Sequence, residues 1–200
     1  MEALLQQLLN GLTLGSIYGL VALGLTLVYG ILHVPNFAHG ALYMVGAYVA
    51  YYVAGELGAS YWLAMIAAAV IVAGLAVACE RLVFHPLRNA PPIHDKIAAI
   101  GLLLFFEAVV QMYWGADFRR LDAPSHTIFH FAGLTLPAQR VLIIVAAFTL
   151  MGGLHLYLKK TLAGSTIIAM AQNREGAFLV GINANRVAMM TFAISGALAA

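Results

Sequence analysis

The chain contains six long apolar runs separated by more polar links, and this alternation is the feature that most limits how it can fold. An α-helix needs about 20 consecutive, mostly apolar residues to cross a bilayer. Such runs lie at 8–32, 38–54, 61–79, 97–114, 140–158 and from 187 onward. The sequence therefore predicts an all-α, polytopic α-helical membrane protein with about five complete transmembrane helices and a sixth cut short at Ala200.

The amino-acid composition favours lipid as the solvent of these helices. Hydrophobic residues make up 63% of the chain and charged residues only 9%, whereas soluble domains carry roughly 25% charged residues. The net charge of +2 is too small to indicate nucleic-acid binding, and the single Cys79 excludes a disulfide within the chain. A soluble domain of this size has too little interior to bury so much apolar surface, so a lipid bilayer is the expected partner.

Lysine and arginine are distributed unequally between the two sides of the predicted bundle. Positive charges in short loops are retained on the cytoplasmic side of a membrane. One side carries Arg81, Arg88, Lys96, Lys159, Lys160, Arg174 and Arg186, and the other carries Arg119, Arg120 and Arg140. This predicts that 80–96 and 159–187 are cytoplasmic and that 115–139 is external. The N-terminus has no basic leader segment and is then external too, unless the short link 33–37 makes the first two runs a re-entrant pair.

The stretch 164–187 is polar at its edges and too interrupted to cross the bilayer. Ser165 or Thr166 is expected to cap a short helix here, and Gly181 to end a second helix in the left-handed conformation. One face of the pair is expected to be apolar, through Ile167, Ile168, Met170, Ala171, Ala177, Phe178 and Val180. At the break between the two helices lie four polar residues, Gln172, Asn173, Arg174 and Glu175. A partner in the aqueous phase could bind such an element.

The stretch 33–40 places two histidines, an asparagine and a proline between the first two apolar runs. Pro35 removes a backbone donor and disfavours helical geometry in the residues before it. Irregular backbone at membrane depth is tolerated where protein or water satisfies it, as beside a substrate path. Asn36 and His39 are therefore candidates for a translocation path. The alternative is an interfacial turn with two hydrated histidines.

Glu107 is an ionisable residue inside the apolar run 97–114, with Gln111 one helical turn later. Ionisable groups within a bilayer are costly and commonly functional. Two interpretations follow for Glu107: a structural hydrogen bond with another helix, or a role in transport or gating along the same translocation path.

The predicted external loop 115–139 alternates apolar and polar residues around 127–136 and ends at Pro137. This pattern predicts a short hairpin or a surface helix with extended ends. Asp122, His126 and His130 are spaced by four residues, which on a helix would suggest a metal site. Pro124 argues against that helix, so no metal site is predicted, and a surface loop that contacts an external partner is favoured.

Several sequence patterns bear on packing and on catalysis. Gly15 and Gly19, followed by Gly24 and Gly30, indicate close helix packing in the first run. No GxxxxGK[ST] loop is present, so an ATPase that drives this chain would lie on another chain. Ser16 and Ser195 have no histidine nearby in the sequence, so neither a catalytic site nor a cofactor site is predicted.

Two stretches resemble a known family closely: NFAHGALYMVGAY at 36–48 and NREGAFLVGINANRV at 173–187. Together with 11–35, 49–50, 97–117, 169–172 and 188–200, they resemble the membrane permease of branched-chain amino acid ABC importers, specifically the first of two paired permease subunits. The resemblance covers essentially all 200 residues. It implies one transmembrane permease domain over 1–200 that family members continue beyond Ala200.

The resemblance implies a set of partners and a coupling site. Members of this family work in the bacterial inner membrane with a second permease subunit, cytoplasmic ATPase subunits and a periplasmic substrate-binding protein. By resemblance, the loop 159–187 is the cytoplasmic coupling element that docks on an ATPase. Asn173, Glu175, Gly176 and Gly181 match the positions of its motif.

Three other functions stay open at this point. A urea or short-amide permease of the same family shares these motifs. A self-sufficient secondary transporter or channel would carry 164–187 as a structural loop only. An intramembrane enzyme would depend on Ser16 or Ser195.

Overall fold

The structure, a computed structural model, describes residues 2–32, 36–88, 90–115, 121, 128–131 and 134–200. Its α-helices are α1 (Glu2–Leu32), α2 (His39–Tyr51), α3 (Tyr61–Cys79), α4 (His85–Leu87), α5 (Pro92–Trp114), α6 (Ala138–Lys160), α7 (Leu162–Gln172), α8 (Arg174–Leu179) and α9 (Ala184–Ala199). The π-helical turns Tyr52–Glu56 and Glu80–Phe84 continue α2 and α3. Strands β1 (Ile128–Phe131) and β2 (Leu134–Pro137) form one antiparallel hairpin.

Four helical segments of the described chain are long and apolar enough to cross a membrane. They are Leu4–Ile31, Tyr61–Leu87, Ile93–Trp114 and Ala138–Lys160. The predicted fold class, a polytopic α-helical membrane protein, is confirmed. The number of complete spans is four by this criterion, one fewer than expected.

The second and the last apolar runs form helices that fall outside this set. The second run is α2 with its π-helical turn, and His39, Glu56 and several tyrosines dilute its apolar character. The last run, α9, has 16 residues and packs against α1, α2 and α3. Its hydrophobic residues contact other helices of the chain. Hydropathy alone does not distinguish apolar residues that face protein from apolar residues that face lipid.

Small side chains let α9 lie close against α3. Residues at four-residue spacing share one face of a helix, and on α3 that face is buried and consists of Ala64, Ala68, Val72 and Ala76. A Cβ at Gly196 of α9 would lie 2.7 Å from the Cβ of Ala76, so only glycine fits there. At the far end of this contact, the rings of Phe84 and Phe192 pack with centroids 5.5 Å apart. Helix α9 therefore belongs to the core.

The outward faces of the long helices are apolar. Large hydrophobic side chains stand exposed along them, including Leu82 at 76%, Phe105 at 59% and Met112 at 83%. A contiguous apolar surface of this kind requires lipid or protein around it. This surface suits helices that cross a bilayer.

The hairpin β1–β2 confirms one of the two structures predicted around 127–136. Phe129 pairs with Leu136 in its register, and β2 leads directly into α6. Arg140 Nη1 donates to Asn10 Oδ1, which joins the start of α6 to the N-terminal end of α1. The hairpin and that end of α1 therefore lie at the same end of the bundle.

Several predicted features fall outside the described residues. They are the irregular link through His33 and Pro35, most of the external loop, and the side chains of Asp122, His126 and His130. Within the described chain, no three His, Cys, Asp or Glu side chains are grouped in a way that could hold a metal ion.

Three of the four glycines in the α1 pattern lie against other helices. A Cβ at Gly19 would lie 3.2 Å from Met151 Cε of α6, and one at Gly24 would lie 2.9 Å from the ring of His39. Gly30 faces Ala171 of α7. At Gly15 no atom outside its own stretch of helix lies within 4 Å of the Cβ position among the described residues, so the packing prediction stays untested there.

Candidate functional site

The helix pair α7–α8 begins at short polar side chains that cap both helices. Thr161 Oγ1 accepts a hydrogen bond from Gly164 N at 2.9 Å, and Asn173 Oδ1 accepts one from Gly176 N at 2.9 Å. These caps satisfy backbone donors that a helix start leaves free. The predicted cap at Ser165 or Thr166 is wrong, because Thr161 has the extended backbone that a cap requires and starts α7 earlier.

The corner between α6 and α7 is tight. A Cβ at Gly164 would lie 2.5 Å from Leu158 Cα, within the backbone of α6. Only glycine allows α7 to turn back so closely on α6. The orientation of α7 relative to α6 is therefore set by this residue.

Gly181 ends α8 in the left-handed conformation, as predicted. Its φ is +82°, and its N–H donates to Phe178 O at 3.0 Å while Ile182 N donates to Ala177 O at 3.0 Å. Hydrogen bonds of this kind close a helix end when the next residue is left-handed. The chain then passes through Ile182 and Asn183 into α9.

A buried apolar cluster holds α7 and α8 against the rest of the chain. It contains Ile31 of α1, Ile167 and Met170 of α7, Ala177 of α8, and Ala184 and Val187 of α9, and it is called the anchor cluster below. Burial of side chains like these contributes about 1.5 to 3 kcal/mol for each large one. The anchor cluster also shows that the C-terminal end of α1 lies beside α7 and α8, opposite the end that holds the hairpin.

The outer side of α8 exposes three consecutive apolar residues. Phe178 is 52% exposed, Leu179 89% and Val180 76%, and together they form what is called the apolar tip below. The predicted single apolar face is therefore wrong for Ile168, Phe178 and Val180, which are exposed, although Ile167, Met170 and Ala177 are buried as expected.

Charged residues border the apolar tip. The Arg174 guanidinium carbon lies 6.0 Å from the centre of the Phe178 ring, within the range of a cation–π contact, and Glu175 is exposed beside it. A firmly held apolar projection with a polar border suits insertion into a groove on another protein.

The break before α2 is ordered by Asn36 and leaves His39 buried. Asn36 Oδ1 accepts a hydrogen bond from Ala38 N at 3.1 Å, and Asn36 O accepts one from His39 N at 3.0 Å. The His39 ring is 2% exposed and its Nε2 lies 3.0 Å from Val21 O. The alternative of a hydrated interfacial histidine is therefore wrong for His39.

The position of His39 also locates the start of α2. Val21 lies 11 residues before Leu32, which corresponds to about 16 Å along α1 at 1.5 Å per residue. Helix α2 therefore starts level with the middle of α1. The first two runs therefore form a broken pair, but α1 still runs from the hairpin end of the bundle to the end that holds α7 and α8, so its start stays on the side of the hairpin.

Ser195 of α9 completes this buried polar group. Its Oγ donates to Gly24 O at 2.8 Å and lies 3.3 Å from His39 Nδ1. Sequence reasoning missed this contact because His39 and Ser195 are 156 residues apart. The available signal was a small polar residue inside an apolar run, which in membranes commonly bonds across helices.

An ion pair near the start of α9 was also missed. Glu80 is 1% exposed, and its Oε1 accepts from Arg88 Nη2, while Arg88 Nη1 donates to Asn185 Oδ1 at 2.5 Å. A carboxylate directly after the apolar run 61–79 was the available signal. Arg88, by bonding both Glu80 and Asn185, ties the end of α3 to the first turn of α9.

Glu107 points away from the bundle. It is exposed on α5, as are Gln111 one turn later and the neighbouring Leu104 and Phe105. Among the described residues its carboxylate has no hydrogen-bond partner. The structure brings Asn36 and His39 together, and places Glu107 on a separate outer face.

The fold and these sites define the class of the molecule: a multi-pass α-helical membrane protein with a capped helix pair projecting from one end. Residues 7–200 match the family described as the branched-chain amino acid transport system permease component. The chain belongs to this family.

Individual relatives agree with this assignment. The high-affinity branched-chain amino acid transport system permease protein BraD of Pseudomonas aeruginosa is 35% identical over 98% of this chain and 68% of its own length. LivH of Escherichia coli, a protein of the same description, is 34% identical over 98% of this chain and 68% of its own length. The probable branched-chain amino acid transport permease protein LivH of Methanocaldococcus jannaschii is 31% identical over 90% of this chain and 59% of its length. No solved structure matches.

Proposed function

We propose that this chain is the membrane-spanning permease subunit of an ATP-driven importer that moves branched-chain amino acids across a bacterial inner membrane. The observation that carries the proposal is the apolar tip of α8, held in place by two helix caps, Gly181 and the anchor cluster. Membership of the permease family supports the substrate class.

The coupling element is residues 159–187, and four of them have distinct roles in it. Asn173 fixes the start of α8 through its hydrogen bond to Gly176 N, and Gly181 fixes the end. Gly176 also keeps the Asn173 cap unobstructed, because a Cβ there would lie 3.2 Å from Asn173 Cγ. Glu175 is exposed in the first turn of α8 and is available to a basic residue of the ATPase.

The proposed partners are ATPase subunits, a second permease subunit and a substrate-binding protein. The apolar tip enters a groove on a cytoplasmic ATPase subunit, which supplies the phosphate-binding loop that this sequence lacks. A second permease subunit covers part of the exposed apolar surface, and a periplasmic binding protein delivers substrate near the hairpin end. This places the N-terminal end of α1 outside the cell. The chain itself is a transport subunit without an ATPase site.

Asn36, His39 and Glu107 border the translocation path in this proposal. Asn36 and His39 hold the start of α2 at the level of the middle of α1, where a break gives access to backbone polar groups. Glu107 faces outward from α5, so its carboxylate reaches the path only where the second permease subunit packs against α5.

The test is co-purification of the assembled transporter from detergent-solubilised membranes. The parent chain is compared with a Glu175→Arg, Gly181→Trp variant, with a Gly152→Trp variant as control because Gly152 is also exposed and has open space around it. We expect ATPase subunits to accompany the parent and the control but not the coupling variant. Equal recovery of the ATPase with all three would contradict the proposed role of 159–187. Recovery with none would favour a secondary transporter.

A further inference from the structure

The Ser195 hydroxyl faces two hydrogen-bond acceptors that belong to two different helices. Its Oγ lies 2.8 Å from Gly24 O of α1 and 3.3 Å from His39 Nδ1 of α2. Both Ser195 and His39 are 2% exposed, so water does not compete for these bonds in this conformation.

Ser195 can donate only one of its two possible hydrogen bonds at a time. His39 Nε2 lies 3.0 Å from Val21 O, which can only accept, so in the neutral ring Nε2 carries the proton and Nδ1 is an acceptor. Ser195 has one hydroxyl proton. It can therefore bond fully to Gly24 O or to His39 Nδ1, and a small rotation or shift decides between them.

Helix α9 connects Ser195 directly to the proposed coupling element. Four residues, Val180 to Asn183, separate α8 from α9, and Asn183 Oδ1 caps α9 by accepting from Asn185 N at 3.1 Å. Val187 of α9 also lies in the anchor cluster with Ala177 of α8. A displacement of α8 therefore moves α9.

The helices around Ser195 are closely packed. A Cβ at Gly24 would lie 2.9 Å from the His39 ring, one at Gly46 would lie 2.7 Å from Ala200 Cα, and one at Gly196 would lie 2.7 Å from Ala76 Cβ. Closely packed elements tend to move between discrete arrangements, since their interiors deform little. A shift of α9 is then expected to change both distances at Ser195.

We propose that Ser195 is a positioning residue of the transport cycle, whose hydroxyl passes between Gly24 O and His39 Nδ1 as α9 moves. The exchange replaces one hydrogen bond by another, so neither position leaves a buried hydroxyl unpaired. In the His39-bonded position α9 is tied to the start of α2, and in the Gly24-bonded position it is tied to α1. Movement of the coupling element is thereby passed to the broken helix start. The inference rests on the proposed function.

The test measures the amount of branched-chain amino acid taken up per ATP hydrolysed by the assembled transporter in proteoliposomes. Ser195→Ala removes one oxygen atom and adds no bulk. Thr191→Val is the matched control, because Thr191 is fully buried on the same helix and its hydroxyl bonds only to Val187 O of that helix, at 2.9 Å. We expect Ser195→Ala to lower the ratio about fivefold, at the lower end of measured coupling between sites, and Thr191→Val to leave it unchanged.

Four outcomes decide the matter. A lower ratio for Ser195→Ala alone, with unchanged thermal stability, supports the switch. Equal ratios for the parent and Ser195→Ala overturn it while leaving the proposed function in place. A parent without ATP-dependent uptake overturns both. If Ser195→Ala fails to reach the membrane, Ser195→Cys, whose thiol is only a weak donor, is measured instead. A ratio below that of the parent then supports the switch, and a ratio equal to that of the parent overturns it.

Discussion

At the scale of single residues, short polar side chains set where the helices of the proposed coupling element begin and end. Thr161, Asn173 and Asn183 cap α7, α8 and α9, and Gly181 terminates α8. Sequence reasoning identified Gly181 because a left-handed stop depends on one residue type. It misplaced the cap of α7 because Thr161, Ser165 and Thr166 are all suitable caps, and the choice depends on how α7 packs back on α6 through Gly164.

The Asn173 cap gives a prediction about α8. Asn173→Ala removes the acceptor for Gly176 N and is expected to destabilise α8 by about 1 kcal/mol, and so to weaken ATPase binding. Asn173→Asp keeps the acceptor and is the control. The affinity of the isolated ATPase subunit for the purified, immobilised permease should fall for the Asn173→Ala variant only. Similar affinities for alanine and aspartate would show that the cap does not matter.

Two glycines with open surroundings should respond oppositely to alanine. Gly181→Ala forces a Cβ into a left-handed backbone and is expected to cost about 1 to 2 kcal/mol, although no atom lies within 4 Å of the new Cβ. Gly152→Ala, inside α6 and equally unobstructed, should gain up to about 1 kcal/mol. Thermal unfolding in detergent measures both. A stabilised Gly181→Ala protein would mean that the turn after α8 differs from the one described.

At the scale of helices, hydropathy predicted the long segments well and the short ones less well. The spans around α1, α3, α5 and α6 follow from the length of apolar runs. The level at which α2 starts and the burial of α9 depend on contacts between distant parts of the chain, such as His39 with Val21 and Gly196 with Ala76. The direction of the apolar tip likewise could not be predicted, because Phe178 and Ala177 are adjacent and only their packing separates them.

The apolar tip can be tested with a pair of equally exposed leucines. Leu179 in α8 and Leu162 at the start of α7 are both 89% exposed. Leu179→Ala should weaken ATPase binding by about 1 to 2 kcal/mol if Leu179 inserts into a groove, while Leu162→Ala should not. The ATPase dissociation constant of each variant is the measurement. An equal effect of the two changes would point to general loss of apolar surface instead of docking by α8.

The buried Glu80–Arg88 ion pair, whose arginine also bonds Asn185 of α9, should be sensitive to loss of one partner. Arg88→Met leaves the Glu80 carboxylate, which is 1% exposed, without its cation. Breaking a buried pair in this way typically costs about 3 to 5 kcal/mol. Thermal unfolding should show this loss and show most of it recovered when Glu80→Gln is added. No recovery in the double variant would mean that Arg88 acts through Asn185 alone.

At the scale of the whole molecule, the two ends of the bundle have different tasks in this account. The hairpin and the start of α1 lie at one end, joined by Arg140 and Asn10, and α7, α8 and the anchor cluster lie at the other. The distribution of lysine and arginine predicted the same division of the chain. The sequence could not predict the buried contacts of Ser195 with Gly24 and His39, because these residues meet only after three separate helices have packed.

The most direct test of the central claim is uptake of radiolabelled leucine by proteoliposomes that contain this chain with a second permease subunit, ATPase subunits and a substrate-binding protein. The account predicts accumulation that requires ATP on the side of α8 and loaded binding protein on the side of the hairpin, and that ceases with Glu175→Arg, Gly181→Trp. Leucine accumulation that proceeds without the ATPase subunits, driven by an ion gradient, would contradict it.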